Sequence, residues 1–230
     1  MHSAAQKEAI SGARAIAPLA IGVAAYGLAF GLLASQAGFN WAETGLMGVL
    51  VFAGSSQIVA VERLAAGAGI AAAFIAGVAL NLRLLLITAS VRSYFMGRPL
   101  WQRLLGAHLS ADENWALTLA ERSQGKDVGY WFLVGAGLTL VVVWVMTGVL
   151  GVLFAASIPD PEEYALDFAF TAAFIAIARA LWRGRSDLLP WVTAIAVVAM
   201  TTRLEWFDAS WSIVLGGVSG AVAAAVKPNV

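Results

Sequence analysis

The sequence predicts an all-α integral membrane protein of about seven transmembrane helices. Three observations carry that expectation. Of 230 residues, 60% are hydrophobic and only 12% charged. The charges punctuate long apolar runs instead of spreading along the chain, and tryptophans gather near the ends of those runs. Soluble domains carry roughly 25% charged residues, so a water-soluble core does not account for this balance. Hydrocarbon offers the backbone no water to bond, so a crossing segment is a helix of about 20 apolar residues.

In chain order the spans fall at roughly 15–37, 42–62, 68–91, 129–157, 163–182, 188–204 and 208–226. Trp41, Trp101, Trp131, Trp182, Trp191, Trp206 and Trp211 lie near proposed span ends, where an indole sits at headgroup level. Trp144 alone lies in mid-span. Gly27-x-x-x-Gly31 and Gly216-x-x-x-Gly220 are small-residue stripes of the kind that lets helices pack closely. Met1 to Ser11 is polar and lacks a signal-peptide pattern, so the membrane segments themselves are expected to direct insertion.

Between the third and fourth spans lies a polar stretch whose middle, residues 104–122, fits an amphipathic helix. It separates two halves with the same order of features. The whole chain, 1–230, reads as one transmembrane domain: repeat 1 at about 14–96, a polar connecting segment at 97–127, repeat 2 at about 128–206, and a final helix at 208–226. Three is odd, so two three-helix halves would be inverted relative to each other, as in many secondary transporters. With the N-terminus outside, nine basic residues fall inside (Arg92, Arg98, Arg103, Arg122, Lys126, Arg179, Arg183, Arg185, Lys227) and four outside (Lys7, Arg14, Arg63, Arg203). Lys7 and Arg14 argue the other way, and a re-entrant 42–66 would place the N-terminus inside.

Several function classes drop out. Zero formal net charge gives no support to nucleic-acid binding, and the absence of cysteine removes disulfides, zinc-thiolate sites and thiol catalysis. No HExxH or phosphate-binding loop is present, and Ser55 and Ser56 have no histidine in any span to act as base. The expectation is no enzyme, no metal and no cofactor.

Function is therefore sought in polar groups at membrane depth. Gly54, Ser55, Ser56 and Gln57 sit mid-way along the second span. Glycine lowers helix propensity and serine can bond the preceding turn, so a break is expected there. Broken helices bind carboxylates at half-helix N-termini and cations at freed carbonyls. Asn81 and Arg83 lie in the third span, and Arg83 stands roughly 13 Å from its end at 1.5 Å per residue. A charge at that depth costs at least ~2–3 kcal/mol unless paired or wet. Arg83 either clamps a carboxylate or forms a structural ion pair, with Asp167 as the expected counter-ion. Asp112 and Glu113 are candidate proton-coupling or gating groups beside His108, although Ser110 and Glu113 also fit a capping box. Asp167 and Arg179 read as interface or pairing residues, with Asp167 a further gating candidate.

At these positions the sequence resembles the AzlC family of branched-chain amino-acid permeases. FAGSSQ at 52–57 is similar to the family's F/Y-A-G-x-x-Q-F signature, NLR at 81–83 to its N/D-x-R-H element, DENWAL at 112–117 to T-D-E-x-[FW]-A-L, and LDFAFTAAF at 166–174 to L-D-F-x-L-P-A-L-F. Leu84, Ala111 and Thr171 stand where the family usually has His, Thr and Pro. The resemblance implies a multi-pass protein of the bacterial inner (cytoplasmic) membrane that exports leucine, isoleucine and valine, coupled to protons, with a small AzlD-type membrane subunit as partner. Phe52 and Ile58 would line the apolar pocket. The other reading is a non-transporting scaffold or assembly subunit whose buried polar residues are structural; a passive channel is a weaker third.

Overall fold

The computed structural model describes residues 2–157, 182, 184–204 and 209–226, which fall in two compact units, Met1–Phe174 and Ile175–Val230. Every regular element among the described residues is helical. In the first unit these are α1 (His2–Gln36), α2 (Trp41–Val51), α3 (Gly54–Ala65), α4 (Ile70–Ser90), a 3-10 turn (Arg92–Tyr94), α5 (Leu100–His108), α6 (Asp112–Ser123) and α7 (Tyr130–Ser157). The second unit holds α8 (Leu188–Arg203) and α9 (Ala209–Ala225). Only three described helices, Ala4–Gln36, Ile70–Ser90 and Tyr130–Ala155, are long and apolar enough to cross a membrane. The span expected at 163–182 lies outside the described residues. Those at 188–204 and 208–226 are helices of 16 and 17 residues, short of a full crossing.

Helix directions follow from close contacts. A Cβ added to Gly12 would collide with the Phe132 carbonyl, one on Gly27 with the Thr147 hydroxyl, and one on Gly31 with the Gly148 carbonyl. These pairings advance together along both helices, so α1 and α7 are parallel. Glu8 adds to the seam by accepting from the Gly129 N–H (2.7 Å) and the Phe132 N–H (3.3 Å), placing a carboxylate at the positive end of α7. α2 runs the opposite way, with Gly45 against Val149 and Gly48 against Val145. Its start is fixed by a capping box between Asn40 and Glu43.

α3 and α4 form an antiparallel hairpin: Gly77 faces Ser56 and Ala60, and Arg83 reaches Ser55. The end of α4 meets the start of α7 through α6, where Trp115 Nε1 donates to Ser90 Oγ (2.7 Å) and Asn114 Nδ2 donates to the Leu133 carbonyl (3.0 Å). α4 is therefore antiparallel to α7, and α3 is parallel to it. Between α2 and α3 the chain reverses. With 11 and 12 residues, each helix reaches roughly 17 Å, about half of a hydrocarbon core.

Three expectations change. Residues 41–65 enter and return instead of crossing, because the chain turns over at Phe52 and Ala53. The parallel α1 and α7 are not related by inversion, which would set the first helices of the two halves antiparallel. The basic residues also sort differently. Lys7, Arg14, Arg92, Arg98, Arg103, Arg122 and Lys126 lie toward the side where α7 starts, and Arg63 toward the other, so Lys7 and Arg14 share a side with the arginines that follow α4.

The expected single amphipathic helix of the connecting segment is two helices, α5 and α6, joined by a tip at 109–111. Gly106 packs on Tyr130 and Phe95 near the start of α7, and a Cβ on Gly137 would collide with the Leu109 carbonyl. The tip thus sits about 10 Å deeper than the start of α7. In the second unit, α8 and α9 form their own antiparallel pair, with Gly216 against Ala194 and Val198 and Gly220 against Pro190. Both small-residue stripes therefore serve packing.

Cysteine scanning checks the reversal on this cysteine-free chain. Gln36→Cys and Ala68→Cys should label from one side of the membrane, and Gln6→Cys and Ser123→Cys from the other. Labelling of Gln36→Cys and Ala68→Cys from opposite sides would mean that 41–65 crosses. Independently, Gly31→Val should lose most of the monodisperse protein on size-exclusion chromatography, whereas Gly22→Val, with open space around it, should not.

Candidate functional site

The two hairpin tips come from opposite sides and meet. His108 Nε2 lies 2.9 Å from the Val49 carbonyl, and its ring packs against Phe52. Val49 is in the last turn of α2, whose carbonyls have no intrahelical partner. The turn itself is at Phe52, with φ 37° and ψ 56°, the only non-glycine residue with positive φ among the described residues. Such a conformation costs on the order of 1–3 kcal/mol and persists where its surroundings over-determine it. Here Phe52 is buried in the core with Ile58, so neither side chain lines open space.

The break falls at Phe52 and Ala53, two residues ahead of its expected place. Gly54, Ser55, Ser56 and Gln57 instead form the first turn of α3. Small and hydroxylated residues suit that position, where the first N–H groups lack intrahelical acceptors. Ser56 Oγ donates to the Ala53 carbonyl (2.9 Å). No side chain caps this N-terminus and no acid stands in its first turn. α6, which points its N-terminus into the same region, carries its own acids, Asp112 and Glu113. Of the two helix N-termini at the tips, only that of α3 is left open to an incoming anion.

Gln57 is fully buried. Its Oε1 accepts from Trp144 Nε1 at 2.9 Å, while Nε2 has no partner among the described residues. Trp144 is 3% exposed, stacks on Phe30 (centroids 5.2 Å apart, 18° between planes) and tilts against Tyr26. Gly54 lies flush on the same indole, where a Cβ would stand 3.0 Å from Cη2. The α3 N-terminus is thus seated on an aromatic floor contributed by α1 and α7. Sequence reasoning did not select Trp144 or Tyr26; the signal available was that Trp144 is the one mid-span tryptophan.

Arg83 joins the two tips. Nη2 donates to Ser55 Oγ (2.7 Å) on the first hairpin, and Nη1 pairs with Asp112 Oδ2 (2.7 Å) on the second. Both side chains of the pair keep 44% of their surface. Among the described residues the carboxylate on Arg83 is Asp112; the pairing with Asp167 expected from the sequence, and Arg179, lie outside the described residues. Asn81 Oδ1 is buried and has no partner among the described residues, so two of the polar groups singled out in the sequence, Asn81 and Gln57, hold hydrogen-bonding capacity that these residues do not use.

The expected Ser110–Glu113 capping box does not form. Ser110 Oγ donates to the Gly106 carbonyl (2.7 Å), and Ala111 takes the cap position. Asn114 holds the tip instead: its Oδ1 accepts from the Ala111 N–H (2.7 Å), and its Nδ2 donates to the carbonyls of Leu109 (2.9 Å) and Leu133. Asn114 is fully buried and uses both amide donors and its acceptor. Among the described residues no group of three His, Asp or Glu side chains converges as a metal site.

The family model described as "AzlC protein" matches residues 18–158, which include both hairpins, α4 and all of α7. Inner membrane protein YgaZ of Escherichia coli is 27% identical over 216 residues, covering 91% of this chain and 86% of its own. An uncharacterized membrane protein of Haemophilus influenzae is 28% identical over 181 residues, covering 74% and 69%. No solved structure matches the chain.

Trp144→Phe should lower thermal stability by about 1–3 kcal/mol, because it leaves Gln57 Oε1 buried and unpaired while keeping the stack on Phe30. Adding Gln57→Leu to it should recover much of that loss, and a double-mutant cycle of melting temperatures measures the coupling.

Proposed function

The chain belongs to the AzlC family of membrane proteins, and on that premise we propose that it is the large subunit of a secondary transporter exporting branched-chain amino acids from the bacterial cytoplasm, coupled to protons and acting with a small AzlD-type membrane subunit. The observation that carries the reading is the α3 N-terminus at the meeting of the tips: uncapped, without an acid of its own, and flanked by the unpartnered Gln57 Nε2. Such an array of donors suits the α-carboxylate of an amino acid. A zwitterion also needs an acceptor for its ammonium group. The unpartnered Asn81 Oδ1 and the carboxylates of Asp112 and Glu113 supply candidates on neighbouring elements.

Arg83 has the role of coupling in this scheme. Bound to Ser55 and Asp112 it ties the hairpins together; released to the substrate carboxylate, it frees Asp112 and lets the tips part. Glu113, beside Asp112 in the first turn of α6, is the proton carrier.

A second reading has one observation in its favour. Arg83 is already ion-paired and hydrogen-bonded, as a purely structural arginine in a scaffold subunit would be.

Counterflow of labelled leucine or valine in proteoliposomes, with and without the partner subunit, decides between them. Arg83→Ala and Asp112→Asn should each lower flux at least tenfold at unchanged protein yield. No flux of any amino acid in either preparation, with Arg83→Ala altering only yield, would leave the scaffold reading standing. For the proton, wild-type flux should depend on pH, and Glu113→Gln, fixed in the neutral form, should flatten that dependence.

A further inference from the structure

A second site lies away from the tips, at the outer side of α5. An open groove of about 540 Å³ is bounded by the end of α4, the 3-10 turn and α5. Two arginines, Arg92 from the turn and Arg103 from α5, face it between apolar walls that include Phe95, Met96, Leu100 and Leu104. Among the described residues neither arginine has an acidic partner within ion-pair distance. Their neighbour Arg98 is occupied differently: it donates to the Tyr94 carbonyl (2.8 Å) and to Gln102 and lies over the ring of Tyr130. The apolar walls are open as well, with Met96 74%, Leu100 65% and Leu104 62% exposed. They continue into the outward face of α4 at Leu82, Leu85 and Leu86, which are also exposed. A groove with two unpaired cations at its polar rim and an apolar floor running on along a membrane-crossing helix matches one ligand chemistry: a phosphate ester attached to acyl chains.

We propose that this groove is a binding site for an anionic phospholipid, whose phosphate is held by Arg92 and Arg103 while an acyl chain lies along Leu100, Leu104 and the exposed face of α4. The site lies on the basic side of the molecule, in the leaflet that the N-terminus occupies. It does not depend on what the protein transports.

The full-length protein in detergent tests it. Melting temperature and lipid adducts in native mass spectrometry are followed as phosphatidylglycerol, phosphatidylcholine or inorganic phosphate is added. Phosphatidylglycerol should raise the melting temperature and give a discrete adduct, and Arg92→Gln/Arg103→Gln should weaken that binding at least about tenfold. Lys7→Gln/Arg14→Gln removes the same charge from exposed positions on the same side and should bind as the wild type does. Both pairs change exposed side chains, so their unliganded melting temperatures should match the wild type. Equal stabilisation by phosphatidylcholine, equal stabilisation by inorganic phosphate, or equal loss in the two charge-matched variants would each overturn the proposal.

Discussion

The structure depends on one constraint: a helix interrupted at membrane depth leaves backbone donors and acceptors that lipid cannot satisfy. Every described contact around Phe52 answers to it. The Val49 carbonyl takes the His108 ring nitrogen, the Ala53 carbonyl takes the Ser56 hydroxyl, and Gln57 is anchored on the Trp144 indole. The acceptor side of the break is served by protein groups, whereas the N–H groups at the start of α3 have no side-chain cap. That asymmetry leaves donors without a side-chain acceptor on one side of the break only. It also explains why the connecting segment folds inward: without the α5–α6 tip, neither His108 nor Asp112 would stand at the break.

Which parts of this were legible in the sequence follows from what a sequence signal measures. Hydropathy registers transfer from water, and it found α4, α7 and the end of α1 within two residues, but it missed the first turns of α1, whose polar residues start the helix at His2 and not near 15. It cannot distinguish a helix that crosses from two half-helices that meet at a reversal, because both bury a similar run of apolar residues. The local warning was present in the glycine and serines at 54–56, but those residues favour a first turn over a break, so the reversal fell at Phe52 instead. Arg83 was found because an arginine inside an apolar run is costly wherever it points. Its partner was not, since Asp112 is distant in sequence and the tip that carries it reads as a polar loop. Trp144 and Asn114 escaped for a related reason: one resembles ordinary core, the other an ordinary helix residue, and only the hydrogen bonds they complete set them apart.

The return of the α2–α3 hairpin to its own side removes a conflict that the charges had posed. Lys7 and Arg14 near the start of the chain, and the arginines after α4, belong to one face of the molecule once α2 and α3 turn back. The parallel seam of α1 and α7 then aligns two helix dipoles, an arrangement that repels at each end. Glu8 lies at the crowded positive end and offsets part of it, and the glycine contacts along the seam supply the close packing that holds the pair together.

A single insertion sense limits how copies of this chain can associate. With seven basic residues toward one face of the first unit and Arg63 toward the other, every molecule presents the same face to the same compartment. Two copies can be related only by rotation about an axis along the membrane normal, because a two-fold axis in the membrane plane would turn one of them upside down. Any self-assembly is therefore a parallel pair or ring, with its α5 helices gathered in one leaflet.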